Sequence, residues 1–144
     1  MVAVDTNVLV YAHRAESSWH SRADQVIAAL AEGKSLWAIP WPCLYEFYAV
    51  VTHQRIYRPP TPYWDALRQI QGWLQSPTVI LLSEDQGFTD ILAMILEKSA
   101  VTGGAVHDAR VAALCIRHGV EKLLTADRDF SRFPQLSTEN PLLP

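Results

Sequence analysis

Four acidic residues, Asp5, Glu46, Asp108 and Asp127, are of the type and placement that could share one chemistry. Carboxylates converging on one cleft repel one another unless cations share the space. Hard oxygen ligands, with no thiolate or histidine pair among them, point to Mg²⁺ or Mn²⁺ rather than zinc. Each acid also has an ordinary structural reading. Asp5 and Asp127 follow apolar runs and could be helix caps or Asx-turn residues. Glu46 falls on one helical face with Cys43, Phe47 and Val50. There it either reaches solvent from the edge of the stripe or is buried with a partner, a raised pKa or a metal ion. Asp108 opens a helix, where negative charge favours the positive end of the dipole.

The elements that must position these acids follow from the apolar pattern. Val2-Ala3-Val4, Leu36-Trp37-Ala38-Ile39, Val79-Ile80-Leu81-Leu82 and Leu123-Leu124-Thr125 are short apolar runs, expected as four strands of a parallel sheet. Between them, Ala23, Val26, Ile27 and Leu30 follow helical spacing up to Gly33. Further helices are expected from Pro42 towards His53, Pro62 to Leu74, Asp85 to Ser99 and His107 to Arg117. Alternating strands and helices imply an α/β fold, a mostly parallel central sheet with helices on both faces. In such sheets ligands bind beyond the carboxyl ends of the strands. Asp5 and Asp127 fall at that edge, and Glu46 and Asp108 fall in first turns of helices starting from it.

A chain of 144 residues, 49% hydrophobic and 19% charged, is expected to form one compact domain over residues 1–144. The net charge of −3 argues against binding nucleic acid through a bulk positive field, yet bound cations would reverse the sign of an acidic cleft. Cys43 and Cys115 lie far apart, in no zinc-like spacing, and read as reduced core residues. No signal peptide or membrane-length apolar run is evident, so a cytoplasmic location is the expectation.

The ordered set Asp5-Thr6-Asn7-Val8-Leu9-Val10-Tyr11-Ala12, Glu46, His107-Asp108-Ala109 and Leu124-Thr125-Ala126-Asp127-Arg128-Asp129-Phe130 resembles PIN-domain proteins, in particular VapC-type toxins of toxin-antitoxin pairs. The resemblance spans essentially the whole chain. It implies a Rossmann-like PIN fold, metal-dependent endonucleolytic cleavage of RNA leaving a 5′-phosphate and a 3′-hydroxyl, and inhibition by a VapB-type antitoxin; it also implies a homodimer. Carried over residue by residue, it makes Asp5, Glu46, Asp108 and Asp127 the metal-holding acids, with Asp129 a second choice for the fourth place. Thr6, Asn7 and Thr125 would orient them. Tyr45, before Glu46, departs from the small or polar residue expected there and bears on pocket shape.

Arg14, Arg110, Arg128 and Arg132 lie beside the acidic motifs and could meet RNA phosphates, though exposed arginines are common without that role. Trp37 and Trp41 read as core, while Trp19 or Trp64 could stack a base or receive an antitoxin side chain. Other classes fit less well. A HAD-type phosphatase needs a second Asp where Asn7 stands, a receiver domain needs paired acids and a late Lys, and a dinucleotide-binding domain needs GxGxxG. An HD-type phosphohydrolase has only His107-Asp108 in its favour. The alternatives that remain are a non-toxin RNA-processing PIN nuclease and a catalytically inactive PIN-fold binding module.

Overall fold

The computed structural model describes residues 1–144. Its centre is a five-stranded, wholly parallel sheet in the order β3-β2-β1-β4-β5, built from β1 (Val2–Val4), β2 (Trp37–Pro40), β3 (Val79–Leu82), β4 (Lys122–Leu124) and β5 (Thr138–Glu139). The four apolar runs expected as strands all pair. The fifth strand was not anticipated, because Thr138 and Glu139 are exposed and lack any apolar pattern.

Six α-helices accompany the sheet: α1 (Thr6–His13), α2 (His20–Glu32), α3 (Trp41–Val51), α4 (Tyr63–Leu74), α5 (Phe88–Ser99) and α6 (Val106–Arg117). α1 is the second unanticipated element. Its run of Val8, Leu9 and Val10 reads locally as strand-like, but Asp5 accepts the backbone N–H of Thr6 and starts a helix directly after β1. Tertiary burial of Val8, Leu9 and Ala12 against α2 and α3 then outweighs the weak β preference. The helix expected from Asp85 begins three residues later, at Phe88, because the Asp85 carboxylate is held by Arg117 and by the backbone N–H of Gly87.

One contiguous core of 33 buried hydrophobic residues joins both helical layers to the sheet. Phe47 anchors the middle of α3. Its ring meets His13 of α1 edge-on at 5.4 Å and Trp73 of α4 at 4.8 Å between centroids. Truncating such a ring typically costs ~3–5 kcal/mol, so the turn carrying the neighbouring Glu46 is rigidly seated. Trp37 is fully buried as expected, and its indole N–H donates to Ser76. Trp41 is half-buried rather than core, and Trp19 and Trp64 are exposed.

The strand order reverses at β1: the chain steps outward to β2 and β3, then returns to the other side of β1 with β4. Such a switch point opens a crevice beyond the carboxyl ends of β1 and β4. No helix is long and apolar enough to cross a membrane.

Candidate active site

That crevice holds a cavity of about 410 Å³ whose wall includes Asp5, Glu46, Asp108 and Asp127. Asp5 follows β1 and Asp127 follows β4, and parallel pairing brings the two strand ends together, with the Asp5 N–H donating to the Leu124 carbonyl at 3.0 Å. Glu46 projects from the second turn of α3 and Asp108 from the first turn of α6. All four predicted acids therefore reach one cavity.

Asp5 is only 6% exposed and is tightly held. Its Oδ1 accepts from the Thr6 N–H at 2.8 Å and from the Cys43 thiol at 3.5 Å. Its Oδ2 accepts from the Thr125 hydroxyl at 2.7 Å and the Asn7 amide at 3.1 Å. Burial nonetheless pushes its pKa up, against the lowering effect of these donors, and nearby Asp127 adds to the rise. Thr6 donates its hydroxyl to Glu46 at 3.1 Å, and Asn7 accepts the Ala126 N–H at 2.9 Å. Thr6, Asn7 and Thr125 thus tie the end of β1 to α3 and to the segment after β4.

Glu46 differs from one reading of its sequence position. It is exposed, so burial cost is not what brings it to the site; its apolar neighbours Cys43 and Phe47 are buried while it points from the stripe edge into the cavity mouth. Asp5 and Asp127 are also the caps that the plainer reading expected. Asp5 caps α1, and Asp127 Oδ1 accepts the Asp129 N–H at 2.8 Å at the start of the 3-10 turn Arg128–Arg132. Capping and clustering are compatible, because in Asp127 the cap uses one oxygen.

Asp108 carries the clearest electrostatic signature. Partial burial, followed by the charges of Asp127, Asp5, Glu46 and Asp129, raises its pKa to about 6. Carboxylate oxygens of Asp108, Asp127 and Asp129 lie within 4.8 Å of one another, close enough for one cation. This tight trio includes Asp129 instead of Asp5 and Glu46. Asp129, however, is exposed, faces Arg132 at 3.6 Å and is not part of the cavity wall, so the wall and the trio overlap at Asp108 and Asp127. The donor set consists of oxygens alone, and Cys43 is buried with its thiol pKa pushed well above the ordinary value. These features fit a hard divalent ion.

The repulsion has a measurable consequence. A folded-state pKa above the unfolded one means that ionising Asp108 costs stability. The cost appears as pH rises through about 4 and is complete above about 6. Asp127→Asn keeps an oxygen for the Asp129 N–H while removing a charge that presses on Asp108 and Asp5. In chelator at pH 7 it should melt a few degrees above wild type, roughly 2–4 °C per kcal/mol relieved, with a flatter pH dependence between 4.5 and 7. Calorimetry checks this. Melting below wild type would make the cap the dominant role of Asp127.

The match to the PIN domain family covers residues 2–136. The chain belongs to the PIN-domain family. This PIN domain is 31% identical over 142 residues to the ribonuclease VapC43 of Mycobacterium tuberculosis, covering 99% of this chain and 96% of the relative. It is 30% identical to ribonuclease VapC33 of the same species, covering 99% of each. Among solved structures, VapBC2 from Rickettsia felis, bound to a promoter DNA fragment, superposes with a TM-score of 0.69 at 20% identity, over 96% of this chain and 98% of that one. VapC20 of M. tuberculosis, a toxin that cleaves the sarcin-ricin loop, superposes with a TM-score of 0.66 at 16% identity, over 91% and 93%.

The arginines of this PIN domain divide. Arg14, one of the candidates for a phosphate contact, is engaged within the chain. Its guanidinium bonds Glu16, the Thr61 hydroxyl and the Pro59 carbonyl, and lies 4.3 Å from the centre of the Tyr57 ring. It braces the 57–61 segment. Arg110 is paired with Glu84. Arg128 is exposed and has no ion-pair partner, and Arg132 has only the loose Asp129 contact. Sequence reasoning missed the apolar wall of the cavity, Val10, Tyr11, Val50 and Tyr57, and the Cys43 contact to Asp5. The position of Cys43 one turn before Glu46, on the same face, was the available signal for the latter. Nothing local marks Tyr57.

Proposed function

We propose that this chain is a Mg²⁺- or Mn²⁺-dependent endoribonuclease of the VapC type, the toxin partner of a VapB-type antitoxin. The observation that carries the reading is the convergence of Asp5, Glu46, Asp108 and Asp127 on one cavity at the switch point of the sheet. The ribonuclease names of the VapC relatives and the VapBC assemblies of similar fold support it.

Asp5, Glu46, Asp108 and Asp127 would hold the metal, with Asp129 the alternative to Asp127. A divalent ion there supplies activation of water and compensation of charge on the scissile phosphate and leaving oxygen. The chain's own residues do the positioning. Thr125, Asn7 and the Thr6 N–H fix the Asp5 carboxylate, and the Thr6 hydroxyl orients Glu46.

A covalent route has no support in the side chains present. The hydroxyls of Thr6 and Thr125 donate to carboxylates, and the Cys43 thiol is buried and held protonated, so none of them is poised as a nucleophile. The VapC likeness favours hydrolysis by water: its oxygen bonds phosphorus, the P–O3′ bond breaks, a proton passes to the leaving 3′-oxygen, and the products are a 5′-phosphate and a 3′-hydroxyl.

Sequencing of cleaved ends after brief induction in a bacterial host tests this. New ends bearing 5′-phosphates at a restricted set of sites are expected, and co-expression of the cognate antitoxin should suppress them. Ends bearing 5′-hydroxyls and 2′,3′-cyclic phosphates would contradict it. Arg128, exposed beside Asp127 and without an ion-pair partner, is the arginine we expect to meet a phosphate. Arg128→Ala should reduce the slope of log affinity against log salt by about 0.7, the loss of one single-strand phosphate contact.

A further inference from the structure

Beside the acid-lined cavity lies a second cleft of about 430 Å³, within the ordinary range of small-ligand sites. The two share Glu46 and Asp108, so a polymer crossing the acids continues directly into it. Tyr45 of α3 contributes to its wall, with Gly104, His107 and Arg110 contributed by the segment that enters and begins α6.

Tyr45 is 63% exposed. The ring is nonetheless held in place. It stacks on Trp41 with centroids 5.8 Å apart and planes 25° from parallel. A ring backed by a second ring is a preformed flat platform, and ordering it costs little further entropy on binding. Gly104 leaves open space where a Cβ would project. Arg110 is already paired with Glu84, and Glu46 and Asp108 contribute negative charge, so the cleft does not favour a phosphate. A neutral flat group with polar edges suits it better.

We propose that this cleft is a nucleobase subsite for single-stranded RNA: the base next to the scissile phosphate stacks on Tyr45, with its polar edge towards His107 and Arg110. The location relative to the scissile bond rests on the ribonuclease reading above, whereas the stacking itself does not.

Binding of a labelled single-stranded RNA of mixed sequence, measured in chelator at low salt, tests the stacking without turnover. Tyr45→Ala should weaken binding about tenfold, the effect of losing one stacked base, while Tyr45→Phe stays within twofold of wild type. For cleavage, Tyr45→Ala should raise KM more than it lowers kcat. An abasic residue next to the cleaved bond should erase the difference between wild type and Tyr45→Ala. Natively folded Tyr45→Ala that binds as wild type overturns the proposal, and so does equal weakening by Tyr45→Phe, which would assign the effect to the hydroxyl. If wild type cleaves no RNA but Tyr45→Ala still loses affinity, the ribonuclease reading fails and the base subsite stands.

Discussion

Asp108→Asn is expected to lower RNA cleavage by at least roughly 10²–10³-fold while leaving the fold intact. On the proposed function, Asp108 is an anionic metal ligand, and removing one forfeits several kcal/mol of charge stabilisation at the reacting phosphate, each 1.36 kcal/mol being tenfold in rate. Asp108 is the cleanest place to make the change. It is part-buried, accepts no side-chain hydrogen bond, and its ionised form is already disfavoured by burial and by four neighbouring carboxylates. The metal-free variant should therefore melt at or above the wild-type temperature.

Asp5→Asn should abolish cleavage to a similar extent but at a structural cost. Four donors converge on the Asp5 carboxylate, and an amide would turn an N–H₂ group towards at least one of them. A buried donor left without its acceptor costs about 1–3 kcal/mol, so Asp5→Asn should melt below Asp108→Asn. Circular dichroism and calorimetry beside a cleavage assay check both variants. Near-wild-type cleavage by folded Asp108→Asn would remove it from the site.

The contrast between these two residues also separates what could be read in the sequence from what could not. Strand runs such as Val2-Ala3-Val4 carry their own signal, because burial on both faces demands continuous apolar residues. Once those strands are parallel, the residues after them share one edge, so Asp5 and Asp127 could be placed together from the sequence. Asp108 and Glu46 followed from helices that begin at the same edge. The fifth strand could not be read this way, because Thr138 and Glu139 pair through backbone atoms at the exposed margin of the sheet and bury little. Nor could the state of each side chain.

Glu46 lies on an apolar face yet is exposed, because a helical stripe narrows at its edge and a long side chain leaves it. Arg14 lies next to an acidic motif yet is engaged by Glu16, Thr61 and Tyr57, contacts that depend on how the 57–61 segment folds back. Tyr45 read as a departure from the expected pattern. The structure gives it a defined place, stacked on Trp41 at the mouth of a second cleft. The Arg14 contacts join residues distant along the chain, and the direction Glu46 takes depends on its rotamer; helical spacing could pair Trp41 with Tyr45 but could not show the cleft beside them.

Dependence on a divalent ion is the second large effect expected, and it follows from the same cluster. Asp108, Asp127 and Asp129 place carboxylate oxygens within 4.8 Å, with Asp5 and Glu46 on the adjoining wall. Two such charges about 5 Å apart repel by roughly 3 kcal/mol at an effective dielectric of ~20, before screening. A bound cation converts that repulsion into attraction and, by binding only the folded form, should raise the melting temperature of wild type but much less that of Asp108→Asn. The decisive measurement is cleavage of a defined RNA by purified protein during a chelator and metal titration. Cleavage should fall to background in excess EDTA, return with Mg²⁺ or Mn²⁺, and stay absent in Asp108→Asn at every metal concentration. Wild-type cleavage that persists in excess chelator would contradict a metal-centred carboxylate site.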